Sequence, residues 1–297
     1  MAAPLNYAVD YSKELSQNYP YVLNFGALYA SPNNTKYKIT GANTIKIPSI
    51  STTGRVDSNK DTIATAARNY DNAWETKVLA NQRKWSTLVH PDDIDKTNFV
   101  TSIGNITQVY NDEQKFPEMD AYCVSKIYAD TVAAGGVAEV ATLTEANVLT
   151  YFDKKMQEMD EARVPVQGRI LYVVPAVKTL LKNASQVTRT ITADSGNSGV
   201  INRAVNRLDE VEIVSVPSDL MKTLYNFTTG WVIGVGAKQI QMLLIHPLAV
   251  MTPVNYEFVT LDEPSGTTEG KYIYFEESYE DVFILNKKIN AIKFITN

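Results

Sequence analysis

The residues that could do chemistry in this chain are few and poorly placed for it. Ser195 and Ser198 sit in ADSGNSG, a run that looks superficially like a nucleophile loop. A serine nucleophile needs a base to take its proton, and the chain has only two histidines, His90 and His246. Each precedes a proline, which biases its backbone towards an extended conformation, and neither lies at a triad or metal spacing. Gly234-Val235-Gly236 is half of a dinucleotide fingerprint, but Gln239 stands where the third glycine belongs. Asp92, Asp93 and Asp95 form the densest carboxylate group, without the glycine and distal glutamate of a calcium loop. Turn formation and helix capping account for them. Cys123 is alone and falls on an apolar helical stripe, as a small buried hydrophobe does. No catalytic residue, cofactor or metal is expected, and the chain reads as a non-enzyme.

Composition narrows the class further. The 297 residues are 44% hydrophobic, enough for a sizeable core in one large or two moderate domains. A net charge of -5 argues against a protein that coats nucleic acid by neutralising phosphates. Four lysines face eight carboxylates between Met251 and Asn297, which reads as a solvated acidic surface. The N-terminus lacks the basic and apolar regions of a secretory signal, and no window approaches the ~18–20 apolar residues that span a bilayer. A soluble, intracellular product with no membrane partner is expected.

The elements that would position any site are of mixed type. Residues 1–42 read as an arm, with Tyr7, Tyr11 and Leu15 spaced for a short helix. From Asn43 to Asn98, strand signals flank the polar run RVDSNKDTIATAARNYDN. Ile45 and Ile47 alternate with polar residues; Trp74, Thr76 and Val78 share one face, as do Trp85, Thr87 and Val89. Such a segment is too polar to bury itself, so it is predicted to be a long projecting β-hairpin whose second surface belongs to another molecule.

A helical region is expected over about 105–135, with a turn before Pro117 making it one long, kinked helix and Gly135-Gly136 as its stop. A second carries Val148, Leu149, Phe152, Met156 and Met159, with Thr142 and Glu145 at capping-box spacing and Pro165 as its end. RILYVVP is a buried strand, AVKTLLKNA a short helix and 185–199 a polar loop. VEIVSVP, GWVIGVG, IQMLLIHP, YEFVTL, KYIYFEE and DVFILN are short strands. The absence of regular βαβ alternation gives the class α+β.

Taken in order, these segments resemble the major capsid proteins of tailed bacteriophages. NTIKIPSISTTG is similar to the start of that family's extended loop, and Trp74, Arg83 and DDIDKTN to its return. FPEMDAYCVSKIYADT resembles part of the spine helix, and IQMLLIHPLAVMTPV with GKYIYFEESYEDVFILNKKINAIKF the closing strands. Gln82 departs from the pattern, since relatives often carry an acidic residue there.

The resemblance implies a Hong Kong 97-type fold. An N-terminal arm would cover 1–42 and an extended loop 43–98. A peripheral domain with the spine helix would take 99–165 and 248–297, and an axial domain 166–247. It implies a coat protein that self-assembles through hexamers and pentamers into an icosahedral head enclosing double-stranded DNA without sequence-specific binding. Portal, scaffolding, decoration and head-completion proteins are its expected partners. The virion, and the host cytoplasm during assembly, are its expected locations. An encapsulin-type nanocompartment is the alternative on the same fold.

Because the chain starts at Met1 without a long coiled segment, a separate scaffolding protein is expected. Some relatives join lysine to asparagine between subunits. Lys46, Lys60 and Lys77 lie in the loop, and the sequence identifies no acceptor. Ile47, Trp74, Arg83 and Trp85 are the expected subunit contacts, because aromatic residues and arginine dominate the energetic centres of interfaces.

Overall fold

A computed structural model describes residues 20–35, 37–39, 43–55, 57, 68–97, 101–184 and 205–297. The expected helix at Tyr7–Leu15 and the loop bearing Ser195 and Ser198 lie outside these residues.

The core is built on a six-stranded mixed sheet. Its order is Glu139–Val140, Ile292–Thr296, Ile240–Ile245, Ile170–Val173, Val211–Ser215 and Arg207–Leu208. Ile170–Val173 is buried at every position, as a continuous apolar run in a central strand should be. It runs parallel to Val211–Ser215 and antiparallel to Ile240–Ile245. The helix Pro175–Asn183 follows directly, with proline at a first-turn position where its missing N–H costs nothing. The helix Val148–Glu161 buries Val148, Leu149, Phe152 and Met159 in the same core. Its expected capping box does not form. Asn147 is the N-cap residue, and its side chain accepts from the Thr144 N–H while Glu145 accepts from Asn183.

The long helix is present and has an interruption. Ile103–Tyr110 is α-helical, Asn111–Lys115 forms one π turn, and Phe116–Ala133 returns to α. Ser102 caps the start through the Asn105 N–H. At the other end Gly135 takes φ +87°, a left-handed conformation open to glycine, while Gly136 N–H reaches Thr131 O at 2.8 Å. That pattern satisfies the last carbonyls and stops the helix.

A second sheet stands beside the first. Val254–Asp262 pairs with Tyr272–Glu280, which pairs with Gln82–Val89, all antiparallel. The projecting hairpin is therefore shorter than expected. Thr44–Thr52 and Tyr70–Val78 pair over nine residues each, but Gln82–Val89 leaves the hairpin for the closing strands. Likewise Ile292–Thr296 belongs to the six-stranded sheet, beside strands expected in the axial part. GWVIGVG and DVFILN yield only the two-residue strands Val232–Ile233 and Phe283–Ile284.

The segment from Pro20 to Thr35 straps across the body. The Asp120 carboxylate, fully buried on the long helix, accepts from Tyr21 OH at 2.5 Å, Asn24 N at 2.9 Å and Phe25 N at 3.2 Å. Further along, Ser31 Oγ donates to Val250 O at 2.7 Å and Asn33 Nδ2 to Leu248 O at 2.7 Å. Phe25 and Leu28 sink into the core between these two fixings.

Candidate assembly surface

The hairpin has two unequal faces, set by the period of two along a strand. On one face, near the root, Ile45 is fully buried with Leu79, Met251 and Phe283, and Ile47 packs against this small cluster. On the other, cross-strand partners Pro48 and Trp74, Ile50 and Asn72, and Thr52 and Tyr70 point away from the body. Ile50 is 67% exposed and Trp74 51%, and no residue of Tyr70–Val78 is buried. Polar contacts between the hairpin and the rest of the chain include Lys287 Nζ donating to Ile50 O at 2.9 Å and Lys77 Nζ donating to Asn286 Oδ1 at 3.4 Å.

The four residues expected at contacts do not converge. Trp74 is on the bare face, whereas Ile47 half-fills the root cluster. Arg83 and Trp85 are engaged within the chain, on the face of the second sheet that meets the long helix. Trp85 stacks on Tyr110 with ring centroids 3.9 Å apart and 7° between planes. Arg83 pairs with Glu118 at 2.6 Å and donates to Phe227 O at 2.6 Å. Their first task is to fasten helix to sheet.

That joint is rich in acid. Glu118, Glu257, Glu276, Glu277 and Glu280 line a narrow cleft with Arg83, Lys84 and Lys115. Lys115 reaches Glu276 at 3.3 Å, and Tyr274 OH donates to the same carboxylate at 2.9 Å. Burial, then that hydrogen bond, pushes the Tyr274 phenol up to about 12. Glu280 is held above the usual carboxylate range, chiefly by desolvation, with Glu118, Glu257 and Asp281 adding repulsion and Lys115 partly offsetting it.

Both histidines have structural partners. His90 Nδ1 accepts from the Asp92 N–H, capping the helix Pro91–Lys96, while Asp92 pairs with Lys96. The cap is thus supplied by His90 and not by an aspartate, while Asp92 and Asp93 lie in the first turn, where their charge suits the helix dipole. His246 Nδ1 accepts from Leu248 N–H at 3.1 Å, so its Nε2 carries the proton and donates to Gln167 O at 2.9 Å. Desolvation lowers its pKa, so the neutral ring is favoured. Cys123 is fully buried, and desolvation raises its thiol pKa well above the ordinary value. Among the described residues, no three His, Cys, Asp or Glu side chains are grouped to hold a metal, and no helix is long and apolar enough to cross a membrane.

Asp120 was the anchoring residue that sequence reading passed over. Its signal was there: it lies four residues after Phe116 and three before Cys123, on the buried stripe, where an unpaired carboxylate is costly.

No family model matches the chain, and no curated protein sequence matches it. Solved structures do. The mature capsid of bacteriophage PhiM1 superposes with a TM-score of 0.68 at 13% identity, covering 98% of this chain and 92% of that one. A structure from Mycobacterium phage Che8 gives 0.65 at 13% identity, covering 99% and 98%. The capsid of Myoviridae phage XM1 gives 0.60 at 11% identity, covering 97% and 96%. Over nearly its whole length, the chain has the α+β fold of these phage structures.

Proposed function

We propose that this chain is the coat subunit of a closed icosahedral shell, the head of a tailed bacteriophage that encloses double-stranded DNA, and that it catalyses no reaction. One observation carries the reading: a fold shared end to end with phage capsid structures, in a chain whose hairpin strand Tyr70–Val78 buries no residue.

Assembly supplies what the single chain lacks. Stable interfaces bury on the order of 1,200–2,000 Å² in total, and permanent ones more. The bare hairpin face with Tyr70 and Trp74 offers one half of such a contact. The open face of the second sheet, with Leu88 and Phe258 exposed and Phe275 half-buried, offers another. Head-to-tail contacts of this kind close into rings when the rotation per copy permits, which is how hexamers and pentamers would form.

In this scheme residues 1–42 form the arm and 44–78 the extended loop. The strand Gln82–Val89 joins the peripheral part with the long helix and closing strands, and the axial part is centred on 166–247. Trp74 is the interface residue of first choice. Portal, scaffolding, decoration and head-completion proteins would be its partners, and DNA would be enclosed without base-specific contacts. The virion is its final location, after assembly in the host cytoplasm.

Sedimentation and negative-stain electron microscopy of the purified chain test this. Rings, curved sheets or closed particles are expected. A protein that stays monomeric at every concentration overturns the reading.

A further inference from the structure

The motif Gly234-Val235-Gly236, which belongs to no dinucleotide site, lies at the tip of a turn that follows the second strand of a small hairpin with an unusual composition. From Leu224 to Ala237 there is no charged residue, in a chain that is 21% charged, and Lys222 and Lys238 flank the run. Tyr225–Asn226 pairs with Val232–Ile233, and the chain then turns, with Ala237 N–H on Gly234 O at 3.1 Å and Gly236 at φ +82°. A left-handed residue at that position is what a type II turn requires, and it places Val235 at the outer corner.

The inner side of this hairpin is fixed. Phe227 meets Tyr122 edge-on at 5.4 Å, and Tyr225 contacts both Phe227 and Trp231. Tyr225 OH donates to Asp219 O at 2.6 Å and accepts from the Lys222 N–H. Leu224, Val232 and Ile233 are exposed around the turn, and Val235 is 101% exposed. Gly234 lets Leu224 lie across it, since a Cβ there would stand 2.8 Å from Leu224 Cγ. A rigid mount under a bare apolar tip is a preorganised contact, in which little ordering entropy remains to be lost on docking.

The same chain carries a complement. Val254–Asp262 is a strand of nine residues that, among the described residues, is paired on one side only. Val254, Val259 and Leu261 are exposed along it, among the exposed carboxylates Glu257, Asp262 and Glu263. A long bare edge of this kind is an aggregation hazard unless something covers it. The tip is apolar with a basic rim, the edge is apolar with an acidic rim, and opposite rims set register and orientation.

We propose that the Leu224–Ala237 tip of one copy docks on the Val254–Asp262 edge of a second copy, as a head-to-tail contact of the shell. The proposal rests on the shell reading. Single variants Val235→Cys and Val259→Cys, each in the full-length chain, are mixed where wild type associates and then oxidised. Cys123 is buried and does not compete. A disulfide-linked pair containing one chain of each kind is expected, well above the yield from either variant alone. Its absence while wild type assembles overturns the docking and leaves the shell reading standing. Val235→Asp should weaken association by about tenfold or more in sedimentation, with an unchanged thermal melt. Undiminished association overturns the docking as well. A wild-type chain that never associates overturns the shell reading, and the docking with it.

Discussion

The strand Ile170–Val173 and the strand Tyr70–Val78 are both regular β-structure, yet they are stabilised in opposite ways. The first is enclosed between strands on both edges, and every side chain is buried. The second is paired along its length and buries nothing. Backbone pairing alone makes a hairpin only marginally stable. The difference teaches where the folding energy of this chain resides: in the six-stranded sheet and its helices, with the hairpin held by the Ile45 cluster and lysine contacts at its margins.

Substitutions can break that contrast. Leu171→Ala in the central strand should cost about 2–5 kcal/mol and lower the melting temperature sharply. Trp74→Ala should shift the melt of the isolated chain by no more than about 0.5 kcal/mol while impairing assembly in sedimentation. Equal losses from the two would show that the hairpin is part of the core after all.

Asp120→Ala comes next. It strands the Tyr21, Asn24 and Phe25 donors in a buried site, at about 1–3 kcal/mol for each donor left without a partner. Limited proteolysis near Pro20–Phe25 should accelerate more than cleavage elsewhere. Uniform acceleration would instead assign Asp120 to the core as a whole.

His246 gives a pH dependence of definite sign. Its folded pKa is depressed, so the unfolded chain binds the proton more readily. Its contribution is complete above about pH 6.5, the ordinary histidine value, and is lost as pH falls below it. Chemical denaturation across this range should show the loss, and His246→Asn should flatten it.

The smallest effect has the unexpected direction. Glu280 has a raised folded pKa, so its ionised form opposes folding at neutral pH and the penalty fades as pH falls through that pKa. Glu280→Gln should therefore raise the melting temperature at pH 7 and leave it unchanged near about pH 4. A lower melting temperature at pH 7 would mean the carboxylate has a binding role in the joint.

Much of the fold was legible in sequence because its signals are local. The apolar run at Ile170, the stripe from Val148 to Met159, the proline at 175 and the glycine stop at 135 each follow from periodicity or backbone geometry. Polarity exposed the hairpin for the same reason. Its end was misplaced because Trp74, Thr76 and Val78 alternate in the same way as Trp85, Thr87 and Val89; only long-range pairing with Tyr272–Glu280 separates them. The Thr142 and Glu145 spacing misled because Asn147 offered the backbone a closer turn. Of the expected contact residues, Arg83 and Trp85 were recognisable as anchors by type, but the partner of an anchor is not written in its spacing.

The π turn at Asn111–Lys115 has a consequence for how one rod serves two neighbourhoods. A single widened turn offsets the helical phase by about 100°, the arc of one residue. Tyr110 can thereby present its ring to Trp85 while Cys123 and Ile127 look into the main core. Rewinding this turn as regular α-helix with its residue count unchanged would swing Tyr110 about a quarter-circle off its stacking partner, whereas deleting one residue between 111 and 115 would straighten the winding and keep the two ends in phase. The extra residue acts as a gear, meshing two surfaces that a uniform helix could not address together.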